Sequence, residues 1–127
     1  MEKLLKKNGI IEYFQLQHQI DEIEEFAKAN NYKFYLINQD IKSKGDLLKA
    51  FFSICEFPDY FGFNWDALND CLQDYSFAPA NGYIFGILNS KKIESSLGAE
   101  YDTFIDIFSE SCKKWEAENK PFVLLLG

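Results

Sequence analysis

The sequence is short of basic side chains. None of its 127 residues is an arginine, and its 13 lysines are outnumbered by 20 aspartates and glutamates, so the formal net charge is -7. Because phosphate contacts need clustered lysine or arginine, this balance argues against general nucleic-acid binding. It is compatible with a basic protein partner, or with solubility alone.

Residues typical of metal sites and nucleophilic catalysis are also scarce. His18 is the only histidine, and a single histidine without a positioned partner supports neither a catalytic triad nor a zinc site. The three cysteines, Cys55, Cys71 and Cys112, form neither a CxxC pair nor metal-ligand spacing. Each lies in an apolar pattern, which favours buried, reduced thiols in a cytoplasmic protein.

Long apolar runs are absent as well. No stretch is long enough to span a bilayer, so we expect no membrane partner. The N-terminal MEKLLKKNGIIEYF lacks the apolar core and the cleavage site of a signal peptide. Hydrophobic residues nevertheless make up 47% of the chain and aromatic residues 17%, which is enough for the core of one ordinary domain.

Three short runs are apolar almost throughout, namely 34–37, 83–88 and 122–126. Such runs are typical of strands covered on both faces, as in parallel sheets, whose strands are joined by helices. Helical spacing of apolar residues predicts those helices at 44–54, at 65–75 and through 101–117, with a short turn near 91–96. The sequence therefore predicts an α/β domain with a small, mainly parallel three-stranded sheet over residues 32–127.

Residues 1–31 are predicted to form a strand-helix extension packed on the same domain, because they are too few to hold a core of their own. Residues 9–14 are expected to form a short edge strand. A helix carrying Leu16, Ile20, Ile23 and Ala27 on one face is expected to follow, with His18 on its surface.

The segment FPDYFGFNWDALNDCLQDY, residues 57–75, combines a turn with a one-sided acidic helix. Pro58 stiffens the entry, and Gly62 is expected to permit a turn that larger side chains would block. At about 100° per residue, the helical wheel separates a polar face from an apolar one. The polar face carries Asp66, Asn69, Asp70, Gln73 and Asp74, and the apolar face carries Leu68, Cys71, Leu72 and Tyr75.

Aromatic residues crowd the same turn: Tyr60, Phe61, Phe63 and Trp65. Some must belong to the core, and those left outward stand beside the acids as candidate anchors for a protein partner. Trp65 and Tyr75 are assigned to the core, as is Trp115 farther along the chain.

FPDYFGFNWDALNDCL resembles the defining segment of the barstar family, the intracellular inhibitors of barnase-type ribonucleases. Every fixed position of P-[DE]-Y-[FY]-G-x-N-x-D-A-L-x-D-C-L is met, and the resemblance extends from about Tyr32 to Gly127. It implies a barstar-like α/β fold. Its matched loop and helix positions, which the resemblance assigns to the ribonuclease interface, are Tyr60, Gly62, Asn64, Asp66, Ala67 and Asp70.

The resemblance assigns roles within that interface. Asp70 is the acid expected in a substrate phosphate subsite, and Asp66 is a second acid that meets basic residues of the enzyme. Aligning residues 105–110 with the family's third helix matches Glu110 to a peripheral acid, and the helical wheel places Ile107 on the flank beside it. The remaining polar side chains of the acidic helix, Asn69, Gln73 and Asp74, complete the predicted partner-binding set.

The implied function is inhibition of a basic ribonuclease, a toxin or secreted enzyme made by the same cell. Carboxylates would stand in for RNA phosphates, and inhibition would need neither chemistry nor a cofactor. Complementary charge also speeds encounter at low salt, for which barnase with barstar is the standard example. The chain is expected to be a monomer when free.

Three residues differ from the founding inhibitor of the family, at positions that the pattern leaves variable or does not cover. Asn69 replaces an aromatic residue, Asp74 replaces a glycine and Phe63 replaces an acid, which suggests a target more basic than, or shaped differently from, the founding ribonuclease. Two alternatives to inhibition stay open. Asn69 and Phe63 leave open an interaction module that does not inhibit a ribonuclease. Less favoured is a hydrolase in which Asp66 and Asp70 act as a carboxylate pair or hold a metal.

Overall fold

A four-stranded parallel sheet forms the centre of the protein, with the strand order β1-β4-β3-β2. The computed structural model describes all 127 residues. The strands are β1 (Asn8–Glu12), β2 (Tyr32–Ile37), β3 (Gly82–Ile87) and β4 (Phe122–Leu126). All six residues of β3 are buried, as expected for an inner strand of a parallel sheet. The predicted mixed α/β fold with a parallel sheet is confirmed.

The predicted number of strands was too small by one. The N-terminal strand lies at the edge of the sheet, as expected, but it was counted as part of an extension and β1 is a fourth strand of the same sheet. It pairs with β4 from Asn8 opposite Phe122 to Glu12 opposite Leu126. This pairing satisfies the outer backbone groups of β4, which would otherwise form an open sheet edge.

Six α-helices accompany the sheet: α1 (Glu2–Leu5), α2 (Ile20–Asn30), α3 (Lys44–Ile54), α4 (Trp65–Asp74), α5 (Ser90–Leu97) and α6 (Ala99–Ala117). The start of α3 was predicted correctly, since the Ser43 hydroxyl accepts a hydrogen bond from the Asp46 amide at 3.2 Å. None of the six combines the length and the apolar composition that crossing a membrane requires.

One face of the sheet packs against α3, α4 and α6 through aromatic rings. Phe85 of β3 lies 4.9 Å from Phe108 of α6 and 5.0 Å from Phe122 of β4, measured between ring centroids. Tyr75 and Trp115 are buried, as predicted. The Trp115 indole donates a hydrogen bond to the Leu72 carbonyl at 2.8 Å, which joins α6 to α4.

The opposite face of the sheet is covered by the N-terminal 30 residues. A second buried cluster places Leu16, Ile23 and Phe26 against Ile84 and Val123 of the sheet. Helices therefore cover both faces of the sheet, and the apolar side chains on both sides of β3 and β4 are shielded from water.

The N-terminal helix begins later than its apolar spacing predicted. Leu16 lies in a separate 3-10 turn, Leu16–His18, and α2 starts only at Ile20. Gln19, with φ of -127°, is not helical and separates the two. His18 is exposed, but on that turn and not on the helix where it was expected.

Candidate protein-binding surface

Asn64 connects the loop 57–64 to helix α4. Its side-chain oxygen accepts a hydrogen bond from the Ala67 amide at 2.8 Å, which caps the helix. Its amide nitrogen donates to the Gly62 carbonyl at 3.4 Å. A turn bond from the Phe61 amide to the Pro58 carbonyl, 3.0 Å, closes the start of the loop. One side chain thus fixes the loop and the helix relative to each other.

The reason expected for Gly62 was wrong. Gly62 does not have a positive φ, and a Cβ built on it would meet Asn64 Nδ2 at 3.4 Å and the Ala67 Cβ at 3.6 Å, which are ordinary contacts. The left-handed residue of this loop is its neighbour Phe63, with φ of 52°. Sequence reasoning missed this conformation because glycine, not phenylalanine, is its usual occupant.

The polar face of α4 is exposed where the helical wheel predicted it. Asp66, Asp70 and Asp74 are exposed, whereas the apolar face is buried. No lysine lies within 4 Å of any of the three carboxylates. Asp74 accepts a hydrogen bond from the Ser76 hydroxyl at 2.7 Å. Asp66 and Asp70 have no such partner, so their charge faces solvent.

Asn69 and Gln73 occupy the same helix face but are half-buried and paired with each other. The Gln73 amide donates to the Asn69 side-chain oxygen at 3.0 Å. Both amides retain further donors and acceptors, so they can hydrogen-bond a partner without leaving this arrangement.

The aromatic residues of the loop divide into buried and exposed ones. Phe57 and Phe61 are buried, but Tyr60 is 80% exposed and Phe63 is 44% exposed. Trp65 was assigned to the core and instead lies at its edge, half-buried. Its indole donates to a Glu100 carboxylate oxygen at 2.8 Å, and this polar tip needs a partner near the surface.

Helix α6 lies beside α4 and carries the last two predicted residues. Ile107 is half-buried and Glu110 is exposed. Glu110 forms an ion pair with Lys113 at 3.4 Å, so its charge is partly matched within the chain. The Trp65–Glu100 and Trp115–Leu72 hydrogen bonds hold the two helices together at two separate points.

Cys71 is the one thiol on α4, and it is buried. Burial raises its pKa to about 11, and the charges of Asp70 and Asp74 contribute in the same direction. The thiol therefore stays protonated near neutral pH, which makes it a poor nucleophile.

No cavity lies along this surface. The largest cavity, about 440 Å³, lies at the carboxyl ends of the strands, where Asn38, Leu88 and Gly127 contribute to its lining. None of the cavities is lined by a residue of the loop or of α4. Nowhere are three or more His, Cys, Asp or Glu side chains grouped so that they could hold a metal ion. An exposed, charged surface without a pocket suits a protein partner better than a small molecule.

Comparison with protein families shows to which family this chain belongs. The sequence model of a family described as Barstar (barnase inhibitor) matches residues 31–127. The chain belongs to the barstar family. The match contains the loop 57–64, α4 and α6, whereas β1 and α2 lie outside it. A search of curated proteins finds no match.

Within this barstar-family domain, the structure brings most of the predicted binding residues together. The loop and α4 form one continuous segment that carries Tyr60 through Asp74, and Ile107 and Glu110 lie on the neighbouring helix. Two further residues at this surface, Phe63 and Glu100, were not in the predicted set. Exposure and backbone conformation distinguish Phe63, and only the fold brings Glu100 to Trp65, 35 residues away in sequence.

Proposed function

We propose that this chain is an intracellular inhibitor of a barnase-type ribonuclease, and that it covers the active site of the enzyme with the loop 57–64 and α4. The observation that carries the proposal is the pair of unpartnered carboxylates, Asp66 and Asp70, on an exposed helix of a barstar-family domain. A ribonuclease binds RNA through a cleft rich in positive charge. Carboxylates of fixed geometry can occupy its phosphate subsites.

The rigidity of the surface supports this proposal. Asn64 caps α4, and α6 braces it through Trp65 and Trp115. Because the loop and helix are already ordered, little conformational entropy is lost on binding. The carboxylates also need not break ion pairs within the chain before they meet the enzyme, which avoids one cost of association.

We assign the central role to Asp70 and a second contact to Asp66. The proposed interface further includes Tyr60, Gly62, Asn64, Ala67, Asn69, Gln73, Asp74, Ile107 and Glu110. Inhibition by this route is steric and electrostatic and involves no reaction. Its physiological site would be the cytoplasm, where an inhibitor protects the cell from its own ribonuclease.

The test is inhibition of purified barnase-type ribonucleases, barnase among them, by Asp70→Asn. This change removes the charge and keeps the shape of the side chain. The loss of one member of a charge pair buried at an interface weakens binding by at least about thirtyfold. The complexes in which this has been measured include barnase with barstar. We expect that loss in the inhibition constant, together with a weaker dependence of association on salt.

The control is Glu25→Gln, which removes one exposed carboxylate from α2, outside the proposed interface. It should leave the inhibition constant unchanged. Equal inhibition by wild type and Asp70→Asn would show that the central assignment is wrong. Binding of a ribonuclease without loss of its activity would favour the interaction module instead.

A further inference from the structure

Phe63 has a backbone conformation that is unusual for its residue type. Six residues other than glycine have positive φ, and three of them are asparagines, which tolerate it. The other three are Glu56, Phe63 and Tyr75. Of these, only Phe63 exposes an apolar side chain to solvent.

The other two outliers are explained by contacts within the chain. Glu56 forms an ion pair with Lys33 at 3.1 Å and accepts a hydrogen bond from the Tyr35 hydroxyl at 2.6 Å. Tyr75 is buried, and its hydroxyl donates to the Cys55 carbonyl at 3.0 Å. Phe63, by contrast, makes neither an ion pair nor a side-chain hydrogen bond, and its ring packs against Phe52 and Phe61 while it remains 44% exposed. Strained backbone that presents a side chain outward is typical of functional sites.

The Phe63 ring is exposed yet held in place. Its centroid lies 4.9 Å from that of Phe61 and 5.1 Å from that of Phe52. Those two rings stack on each other at 6.2 Å. One side of the Phe63 ring therefore packs against the buried Phe61 and the half-buried Phe52 while the rest faces solvent, which is how a pre-ordered anchor residue is built.

Exposed aromatic rings are rare in this chain, and two of them share this loop. Of 13 Phe, seven Tyr and two Trp, only Phe14, Tyr60 and Phe63 are exposed. Asn64, which follows Phe63, caps the helix that begins with Trp65 and Asp66. An apolar surface thus adjoins the unpartnered carboxylates of α4, and a partner must match both.

We propose that Phe63 enters an apolar socket, of the kind that binds a nucleobase, at the edge of the ribonuclease's basic cleft. A nucleotide consists of a flat base and a charged phosphate, and ribonucleases contact both parts, with stacking for the base and positive charge for the phosphate. A fixed aromatic ring beside carboxylates reproduces that pair of features. This inference rests on the proposed function and narrows the partner to enzymes whose facing subsite is apolar and not basic.

The experiment measures dissociation from a panel of purified barnase-type ribonucleases, barnase among them, for variants at position 63. Phe63→Gly removes the ring and relieves the backbone, and Phe63→Asp introduces an acid, the kind of side chain that the founding inhibitor has at this position. For the enzyme that wild type binds most tightly, both should raise the dissociation constant at least about tenfold through faster dissociation. The effect of Phe63→Gly, which changes no charge, should be equal at low and high salt. Phe63→Tyr should retain wild-type affinity.

Phe14→Ala is the matched control, since Phe14 is 87% exposed and lies outside the loop. It should leave dissociation unchanged. Thermal unfolding of each variant, run in parallel, shows whether the fold is kept, and the inference requires that Phe63→Gly lose affinity while its melting temperature stays near that of wild type.

Two results would contradict the anchoring role of Phe63 and leave the proposed function intact. One is wild-type affinity in Phe63→Gly while Asp70→Asn binds weakly. The other is tighter binding by Phe63→Asp, which would show that the facing subsite is basic. If wild type binds no enzyme of the panel, the anchor and the proposed function are both wrong.

Discussion

Leu16→Ala tests whether the N-terminal residues and the barstar-family domain unfold as one unit. Leu16 is fully buried. Its side chain lies against Gly86 of β3, where a Cβ on the glycine would come within 3.2 Å of Leu16 Cδ2. The leucine thus occupies the space above the sheet that the glycine leaves free, and alanine would leave a cavity there.

The expected loss follows from the burial of Leu16. Buried leucine-to-alanine changes lower the free energy of unfolding by about 2–5 kcal/mol, and we take roughly 3 kcal/mol for a side chain with no exposed surface. For 127 residues the unfolding entropy near the melting temperature is about 0.27 kcal/mol/K. Dividing the two gives a fall in the melting temperature of about 11 °C.

Tryptophan fluorescence is the suitable assay, because Trp65 and Trp115 both lie outside residues 1–31. The midpoint of their fluorescence transition shifts only if the rest of the fold shares the loss of stability caused at Leu16. Phe14→Ala, a change at an exposed residue, should alter the free energy of unfolding by less than about 0.5 kcal/mol. An unchanged fluorescence transition in Leu16→Ala would refute the shared unit and favour an extension that opens separately.

Three further predictions concern local contacts. Asn64→Ala removes the cap of α4 and should lower the free energy of unfolding by about 1 kcal/mol, measured by thermal circular dichroism. Burial acts to raise the pKa of Glu56, but its hydrogen bond from tyrosine and its lysine ion pair together lower it. Wild type should therefore be more stable than Glu56→Gln in urea unfolding at neutral pH. It should lose that advantage as the pH falls through the lowered pKa. Burial raises the pKa of Cys71 to about 11 and that of Cys112 to about 12, so both thiols should resist iodoacetamide at neutral pH until the chain is denatured.

Each of these predictions has a result that contradicts it. Wild-type stability in Asn64→Ala would mean that the loop, and not the cap, holds the start of α4. If wild type keeps its advantage over Glu56→Gln in strong acid, the stabilisation does not come from the ionised carboxylate, and the lowered pKa of Glu56 is contradicted. Alkylation of Cys71 in the folded protein would show that α4 opens readily.

The regular parts of the fold followed from the sequence because their signals are local. The helices predicted to begin at 44 and 65 do begin there, and Ser43 and Asn64, which precede them, cap them through their side chains. The strand count was less accessible, since β1 is half-buried over most of its length and its role depends on pairing with β4. The start of α2 was misplaced because Leu16 has helical spacing from Ile20 but belongs to a 3-10 turn.

The site shows the same division between local and tertiary signals. The wheel of α4 predicted which acids are exposed, because helix period alone decides it. The edge position of Trp65 depends on Glu100, and the position of the Phe63 ring depends on its contacts with Phe52 and Phe61. Such contacts between distant residues leave no periodic trace in the sequence.

The most direct test of the central claim is titration of a purified barnase-type ribonuclease with this chain while RNA hydrolysis is followed. If the loop 57–64 and α4 cover the active site, activity falls in proportion to the chain added and reaches zero at one molecule per enzyme. Undiminished hydrolysis by every enzyme of the panel at excess chain would contradict the account.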